Sequence, residues 1–283
     1  MSLERNTDIA WCPGCGNYPI RLAMAELLEE LKVPHDRILM VSGIGQAAKL
    51  PHYLSISFFN GLHGRALPLA FAAKVVNPDL VVIAESGDGD MYGEGGNHMI
   101  HAMRRNVDIT VVVHDNQIYG LTKGQGSPTT ELGMKTSVQH WGMPSEQMNP
   151  VALGIAMNAS FVARSFSGNK EHLKHVVTEA IKHRGFSLVD VMQPCVTFNK
   201  HNTFAWYQSR VYDVKEDDQG YDPYDRVKAF EKSLEWEDRI PLGILYRNDR
   251  KLFHELNPVL KKGINLSKNE EAADVTENLR HFR

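Results

Sequence analysis

The chain is predicted to be an α/β protein: a mostly parallel sheet with helices on both faces, followed by a C-terminal extension. Three observations in its 283 residues lead there. Short β-rich runs alternate with helical patterns through the first two-thirds, as a parallel sheet with crossover helices requires. Leu80-Val81-Val82-Ile83-Ala84 is a continuous apolar run of strand length, suited to a central strand covered on both faces. A tight turn, Gly87-Asp88-Gly89, follows that strand, at the sheet edge where open α/β folds hold ligands.

The elements follow in order. Between Ile20 and Leu31 the apolar residues fall at 20, 23, 24, 27, 28 and 31, a helix with one buried face. Ile38-Leu39-Met40-Val41 reads as a strand ending in Ser42-Gly43-Ile44-Gly45. Ala66 to Val76 is a helix of small residues that can pack closely on a sheet, and Gly95 to Arg105 is a second. Ile109 to His114 reads as another buried strand. Ser160 to Ala163 and Ser187 to Val191 are strands flanking a helix near Lys170–Lys182. From about Asn199 aromatics, charges and prolines rise and the alternation fades. Residues 1–198 therefore form the ligand-binding domain, and 199–283 an extension that wraps it or reaches a partner. The end of the chain, around Asn269-Glu270-Glu271, is polar and expected to be loosely held.

Composition narrows the class. Hydrophobic residues make up 42% and charged residues 23%, ordinary for a soluble globular protein. A formal charge of −3 and the lack of any Lys/Arg block speak against nucleic acid. No apolar run approaches the roughly 18–20 residues that span a bilayer. The first residues carry no apolar stretch of a signal peptide, so a cytoplasmic location is expected. With only Cys12, Cys15 and Cys195, a disulfide framework is not expected, and the close pair points to metal or redox chemistry.

The Gly87-Asp88-Gly89 turn can bring backbone amides to phosphate oxygens, with Asp88 a hard ligand for Mg²⁺. His114-Asp115-Asn116-Gln117-Ile118-Tyr119-Gly120 follows the next strand, so Asn116 emerges at the same edge. Side-chain oxygens of Asp88 and Asn116, with a carbonyl near Ile118, make an oxygen-only half-shell for the cation. The glycines of Met91-Tyr92-Gly93-Glu94-Gly95-Gly96 belong to the same loop.

Gly-Asp-Gly followed one crossover later by Asn is the thiamine diphosphate pattern. Further segments sharpen it: Trp11-Cys12-Pro13-Gly14-Cys15-Gly16, Val41-Ser42-Gly43-Ile44-Gly45, Leu62-His63-Gly64-Arg65-Ala66, Gly96-Asn97-His98 and Ile118-Tyr119-Gly120-Leu121-Thr122-Lys123-Gly124-Gln125. Together they resemble the β subunit of two-subunit 2-oxoacid:ferredoxin oxidoreductases, from about residue 9 to about 200. Ile240-Pro241-Leu242-Gly243-Ile244 also looks familial. The resemblance implies a thiamine diphosphate-binding fold. It implies decarboxylation of 2-oxoglutarate or pyruvate, with the acyl group passing to coenzyme A and the electrons to ferredoxin, or the reverse carboxylation.

It also implies roles. Asp88, Asn116 and the Ile118 carbonyl map onto Mg²⁺ ligands. Gly43, Ile44, Gly45, His63, Gly87, Gly89, Gly120 and Leu121 fall in cofactor-lining segments, and His63 and Arg65 are the candidate catalytic residues. Lys49, Arg65 and Leu121 bear on substrate. A basic residue after the Ser-Gly-Ile-Gly turn, with Leu in Tyr-Gly-Leu-Thr, resembles members favouring 2-oxoglutarate, and Lys49 could pair with its distal carboxylate. The glutamate that activates the cofactor resides on a second domain, which implies an α subunit and an (αβ)₂ assembly.

The family's β subunit holds one [4Fe–4S] cluster through four cysteines. Cys12, Cys15 and Cys195 match three of them, but Gln46 stands at the fourth position. A cluster with a non-cysteine fourth ligand (water, a carboxylate, or a histidine such as His52), a three-iron or labile cluster, and loss of the cluster all stay open. Every cysteine of the chain sits at a family ligand position, which favours a cluster, and no second Cys/His pair suggests zinc. His98 and His101, three apart on a helix, are read as packing or capping residues, and Glu216-Asp217-Asp218 as a solvated loop. The rivals are a pyruvate-specific member, a non-oxidative thiamine diphosphate decarboxylase half, and a non-catalytic iron–sulfur or zinc scaffold subunit. A nicotinamide dehydrogenase is disfavoured, because no G-x-G-x-x-G opens a first βα unit.

Overall fold

Apolar side chains alternate in direction along the central strands, and that alternation sets the layers. In the computed structural model, which describes residues 3–263, 265–268 and 276–280, the strands in chain order are as follows. They are β1 (Ile38–Ser42), β2 (Ser57–Asn60), β3 (Val81–Gly87), β4 (Thr110–Asp115), β5 (Ile118–Tyr119), β6 (Gln125–Gly126), β7 (Phe161–Phe166), β8 (Ser187–Met192), β9 (Val211–Asp213) and β10 (Ile240–Arg247). The main helices are α1 (Asn17–Glu30), α2 (Ala66–Val76), α3 (Gly96–Arg105), α4 (Pro150–Ala156) and α5 (Lys170–Lys182). Met40, Ile83, Val112, Ala163 and Val189 pack with α1 and α5 on one face. Their neighbours Val41, Val82, Val111, Val113, Val162 and Leu188 pack with α2, α3 and α4 on the other. Asn149 and Asn169 cap α4 and α5 through their side chains, and Pro150 opens α4 where a missing N–H costs nothing.

Eight strands form one sheet in the order β2-β1-β3-β4-β8-β7-β10-β9. All its pairings are parallel except that of β10 with β7. The chain runs from β1 outward to β2, but from β3 to β4 in the opposite direction. The loops after β1 and β3 therefore part, opening a crevice at the carboxyl ends of these two strands.

The helices and strands expected in the first two-thirds are present, with boundaries shifted by a few residues. The segment after Asn199 contributes β9 and β10 to the sheet. Pro241 and Gly243 interrupt the apolar pattern of β10, which is why alternation faded there. Val214–Asp217 is a short helix capped by the Asp213 side chain, and Asp217 pairs with Arg239 at 2.7 Å, so the acidic run is partly structured. Asn269-Glu270-Glu271 lie outside the described residues. Among the described residues no helix is long and apolar enough to cross a membrane.

Candidate active site

The crevice between β1 and β3 has an empty volume of ≈ 500 Å³ and is lined where three strands end. Ile44, Gly45 and Gln46 come from the turn after β1, Gly87, Asp88, Gly89 and Asp90 from the end of β3 and the turn after it, and Asn116, Ile118, Tyr119, Gly120 and Leu121 from beyond β4; His63 closes one side. The segment Gly89–Glu94 winds as one wide π-helical turn with Asp88 at its start, where a glycine-rich loop was expected. Such turns are rare and concentrate at functional sites. Gly89 is needed for a reason the sequence did not show. A Cβ there would lie 2.2 Å from the Tyr119 ring.

Asp88 is buried, and its Oδ2 lies 2.7 Å from the Thr129 hydroxyl, which is also 2.7 Å from Asp115 Oδ1. One hydroxyl hydrogen cannot serve two carboxylates. Burial pushes the Asp115 carboxyl well above the usual range, and Asp190 and Asp88 add to the rise. The Thr129 hydroxyl and the Gln117 N–H, the latter 3.2 Å from Asp115 Oδ1, oppose that rise. Burial also raises Asp88, but the hydroxyls of Ser127 and Thr129 and the N–H groups of Gly89 and Asn116 oppose it.

Asn116 is held at both ends of its amide. Its Oδ1 accepts from the Ile118 N–H at 3.0 Å and its Nδ2 donates to Gln193 Oε1 at 3.0 Å. A carbonyl-type oxygen retains a second lone pair, so this bond does not block a cation. Among the described residues no group of three or more His, Cys, Asp or Glu could hold a metal ion. One carboxylate, one amide oxygen and one backbone carbonyl nonetheless fit Mg²⁺, which takes its remaining ligands from phosphate and water.

His63 Nδ1 stands 2.8 Å from Asp90 Oδ1 and 3.5 Å from Glu94 Oε2. The same Asp90 oxygen accepts from Ile44 N (3.0 Å) and Gly64 N (2.8 Å), tying three loops together. Arg65 is exposed and turns its guanidinium to the backbone carbonyls of His63, Gly64 and Glu94. Gly43 opens the turn after β1 and lies against the Asp90 carboxylate. Lys49 is half-buried on the 3₁₀ turn Ala47–Tyr53, its N–H 3.4 Å from the Gln46 carbonyl. Arg65, Gly43 and Lys49 are not on the wall of the crevice. His52 is exposed, packs edge-on against Phe58, and lines neither this crevice nor the cysteine cleft.

A second cleft, of ≈ 680 Å³ empty volume, adjoins the first and is lined by Cys12, Cys15, Cys195, Trp11, Gln46 and Gln193, among others. Gln46, Asn116, Gly120 and Leu121 belong to both clefts. Burial pushes the Cys15 thiol up to about 11, and its neighbours Cys195 and Cys12 add to this. Three thiols around one cavity suit a multi-iron cluster, whose ligands sit on separate metals. Gln46 is anchored by its carbonyl, which accepts from Trp11 Nε1 at 2.8 Å, and its Oε1 is buried without a hydrogen-bond partner.

Asp90, Asp115, Tyr119, Thr129 and Gln193 were not singled out from the sequence. The run Gly87-Asp88-Gly89-Asp90 could have drawn notice to Asp90. Thr129 lies in an irregular stretch with no periodic signal.

Comparison with known proteins agrees with this geometry. The family described as thiamine pyrophosphate enzyme, C-terminal TPP binding domain, matches residues 40–191. The C-terminal part of the pyruvate ferredoxin oxidoreductase β subunit matches residues 195–262. A 2-oxoacid:ferredoxin oxidoreductase subunit β from Saccharolobus solfataricus is 45% identical over 250 residues, 84% of this chain and 82% of that one. A 2-oxoglutarate synthase subunit KorB from Archaeoglobus fulgidus is 38% identical over 192 residues, 67% of this chain and 71% of that one. Among solved structures, a 2-oxoglutarate:ferredoxin oxidoreductase from Magnetococcus marinus with 2-oxoglutarate, coenzyme A and succinyl-CoA bound superposes with a TM-score of 0.90. It is 31% identical, and the match covers 99% of this chain and 94% of that one.

Proposed function

Because this chain belongs to the family of 2-oxoacid:ferredoxin oxidoreductase β subunits, we propose that it carries the thiamine diphosphate half of a 2-oxoglutarate:ferredoxin oxidoreductase. The reaction is the coenzyme A-dependent oxidative decarboxylation of 2-oxoglutarate, or the reverse carboxylation of succinyl-CoA. The observation that carries this reading is the shared wall. An oxygen-lined crevice and a thiol-lined cleft meet at Gln46, Asn116, Gly120 and Leu121.

Asp88, Asn116 and the Ile118 carbonyl would hold Mg²⁺, and Gly87 and Gly89 would let backbone approach the diphosphate. Thiamine diphosphate, when bound, supplies the electron sink for loss of CO₂. His63, oriented by Asp90, stands at the side of the crevice and presents its ring to the substrate, with Arg65 at the rim. Cys12, Cys15 and Cys195 would hold an iron–sulfur cluster, which would supply one-electron redox chemistry beside the crevice, and Gln46 lines the same cleft. An α subunit covers the crevice and brings the activating glutamate, in an (αβ)₂ assembly in the cytoplasm. The segment after residue 199 completes the sheet with β9 and β10, and its exposed parts offer a surface to that partner.

The names of the Archaeoglobus fulgidus and Magnetococcus marinus relatives favour 2-oxoglutarate, as does Leu121 on the shared wall, while the Saccharolobus solfataricus relative is named for 2-oxoacids in general. Lys49, on the turn behind Gln46, supplies charge for the distal carboxylate. Co-expression with the α subunit, followed by assay with 2-oxoglutarate, coenzyme A and a low-potential dye, tests the reading. Dye reduction that needs all components and is lost in Asp88→Ala supports it. Release of CO₂ without dye reduction would indicate the non-oxidative decarboxylase instead.

A further inference from the structure

On the wall of the cysteine cleft lies one buried side chain that also binds a residue of the oxygen-lined crevice. Gln193, at the end of β8, is fully buried. Its Oε1 accepts from Asn116 Nδ2 at 3.0 Å. Its Nε2 donates to Cys15 Sγ at 3.5 Å and to the Pro194 carbonyl at 2.8 Å. The amide thus spans a residue of the oxygen-lined crevice and a thiol of the cysteine cleft with no atom from any other residue between.

The surrounding backbone is built to keep it there. The Gly16 N–H donates to the Pro194 carbonyl at 3.2 Å. A Cβ on Gly16 would lie 2.8 Å from Gln193 Cγ and 2.9 Å from its Nε2. Gly16 follows Cys15 directly, so the absence of a side chain there is what lets the amide lie against the sulfur. The Gln193 N–H is held in turn by the Asp115 carbonyl at 2.8 Å. Both polar ends and the backbone of Gln193 are therefore committed, and the amide cannot flip without losing the bond to Asn116.

We propose that Gln193 is a positioning residue that tunes the cluster through a hydrogen bond to the Cys15 sulfur while orienting Asn116 toward the cation. This rests on the reading that Cys12, Cys15 and Cys195 hold an iron–sulfur cluster. Hydrogen bonds to ligating sulfurs stabilise the reduced, more negative cluster and so raise its reduction potential. Removing the donor lowers the potential. Removing the acceptor frees the Asn116 amide and weakens the Mg²⁺-dependent binding of thiamine diphosphate. One residue thereby sets both the orientation of a metal ligand and the driving force for electrons to reach the cluster.

Two variants separate the two ends. Gln193→Glu keeps an acceptor for Asn116 and loses the N–H to sulfur, whereas Gln193→Leu loses both. In the anaerobically purified αβ complex, redox titration followed by electron paramagnetic resonance should give a lower cluster potential in both variants. Thiamine diphosphate affinity, by calorimetry with Mg²⁺, should fall at least about tenfold in Gln193→Leu and less in Gln193→Glu. Gly16→Ala, which pushes the amide aside without changing it, should lower the potential in the same direction. Unchanged potentials in variants with full iron and sulfide content would overturn the proposal and leave the cluster reading intact. A wild-type complex with no iron or sulfide would instead defeat that reading. Should the variants not assemble, the wild-type protein decides. With glutamine labelled by ¹⁵N at its side chain, the reduced cluster must show a ¹⁵N coupling that persists in Gln46→Cys, and its absence overturns the proposal.

Discussion

Gly43 and Asp90 occupy touching space: a Cβ on residue 43 would lie 1.9 Å from Asp90 Oδ2. Asp90 is the buried carboxylate that binds the N–H groups of Ile44 and Gly64 and stands beside His63. Gly43→Ala must therefore move Asp90 or the turn after β1. The expected outcome is at least a tenfold weaker Kd for thiamine diphosphate, about 1.4 kcal/mol, with a lowered Tm from overpacking. Calorimetry on the assembled complex checks the first, and an unchanged affinity would refute it.

Gln46 lines the cysteine cleft, and its side-chain oxygen is buried without a hydrogen-bond partner. An amide is a poor ligand for iron beside three thiolates, so the iron nearest Gln46 should be the one most easily lost. Mild ferricyanide oxidation should convert the cluster to a three-iron form, releasing one Fe²⁺ and one electron. Gln46→Cys should resist that conversion under the same conditions. Equal resistance in both proteins, read from the oxidised-state paramagnetic signal, would count against this assignment.

Lys49 is proposed to pair with the distal carboxylate of 2-oxoglutarate, although it does not line the crevice in the isolated chain. Lys49→Ala should raise KM for 2-oxoglutarate much more than for pyruvate. A charge-assisted hydrogen bond is worth about 1.5–3 kcal/mol, which predicts roughly a ten- to hundredfold effect. Equal changes for the two substrates would remove Lys49 from the specificity argument.

Asp190 gives a prediction in pH. It is fully buried, accepts from Tyr92 Oη at 2.7 Å, and lies 3.8 Å from Arg164 Nε. Burial raises its carboxyl to about 6, against the opposing pull of Arg164 and Tyr92. The unfolded chain releases this proton near pH 4, while the folded chain holds it. The contribution to stability is thus full below about pH 4 and is lost as pH rises to about 6, by up to about 1.4 kcal/mol per pH unit. Asp190→Asn keeps an acceptor for Tyr92 and should flatten this part of the Tm–pH profile. An unchanged profile in the variant would show that Asp190 is already ionised in the folded protein.

The sheet was legible where burial writes itself into composition. The strand around Val81–Ala84 is apolar throughout because it is covered on both faces, and its Gly-Asp-Gly exit could be read without coordinates. Asp88, Asn116, Ile118 and His63 do meet in one crevice, and the three cysteines in the next. What stayed hidden depends on contacts between residues far apart in the chain. Thr129 matters because it stands between Asp88 and Asp115, and Gln193 because it reaches Cys15; neither residue carries a local signal. Strand β10 escaped notice because Pro241 and Gly243 break its alternation, while its partner β7 lies some eighty positions earlier.

That pairing has a consequence for how the chain is made. Until Ile240–Arg247 has left the ribosome, the outer edge of β7 has no neighbour, and its unpaired N–H and C=O groups are a template for any passing strand. The residues that form both clefts precede this point in synthesis. A nascent chain paused or truncated near residue 198 would hold its site residues but expose an aggregation-prone edge, so a strand made after the site also acts as its guard.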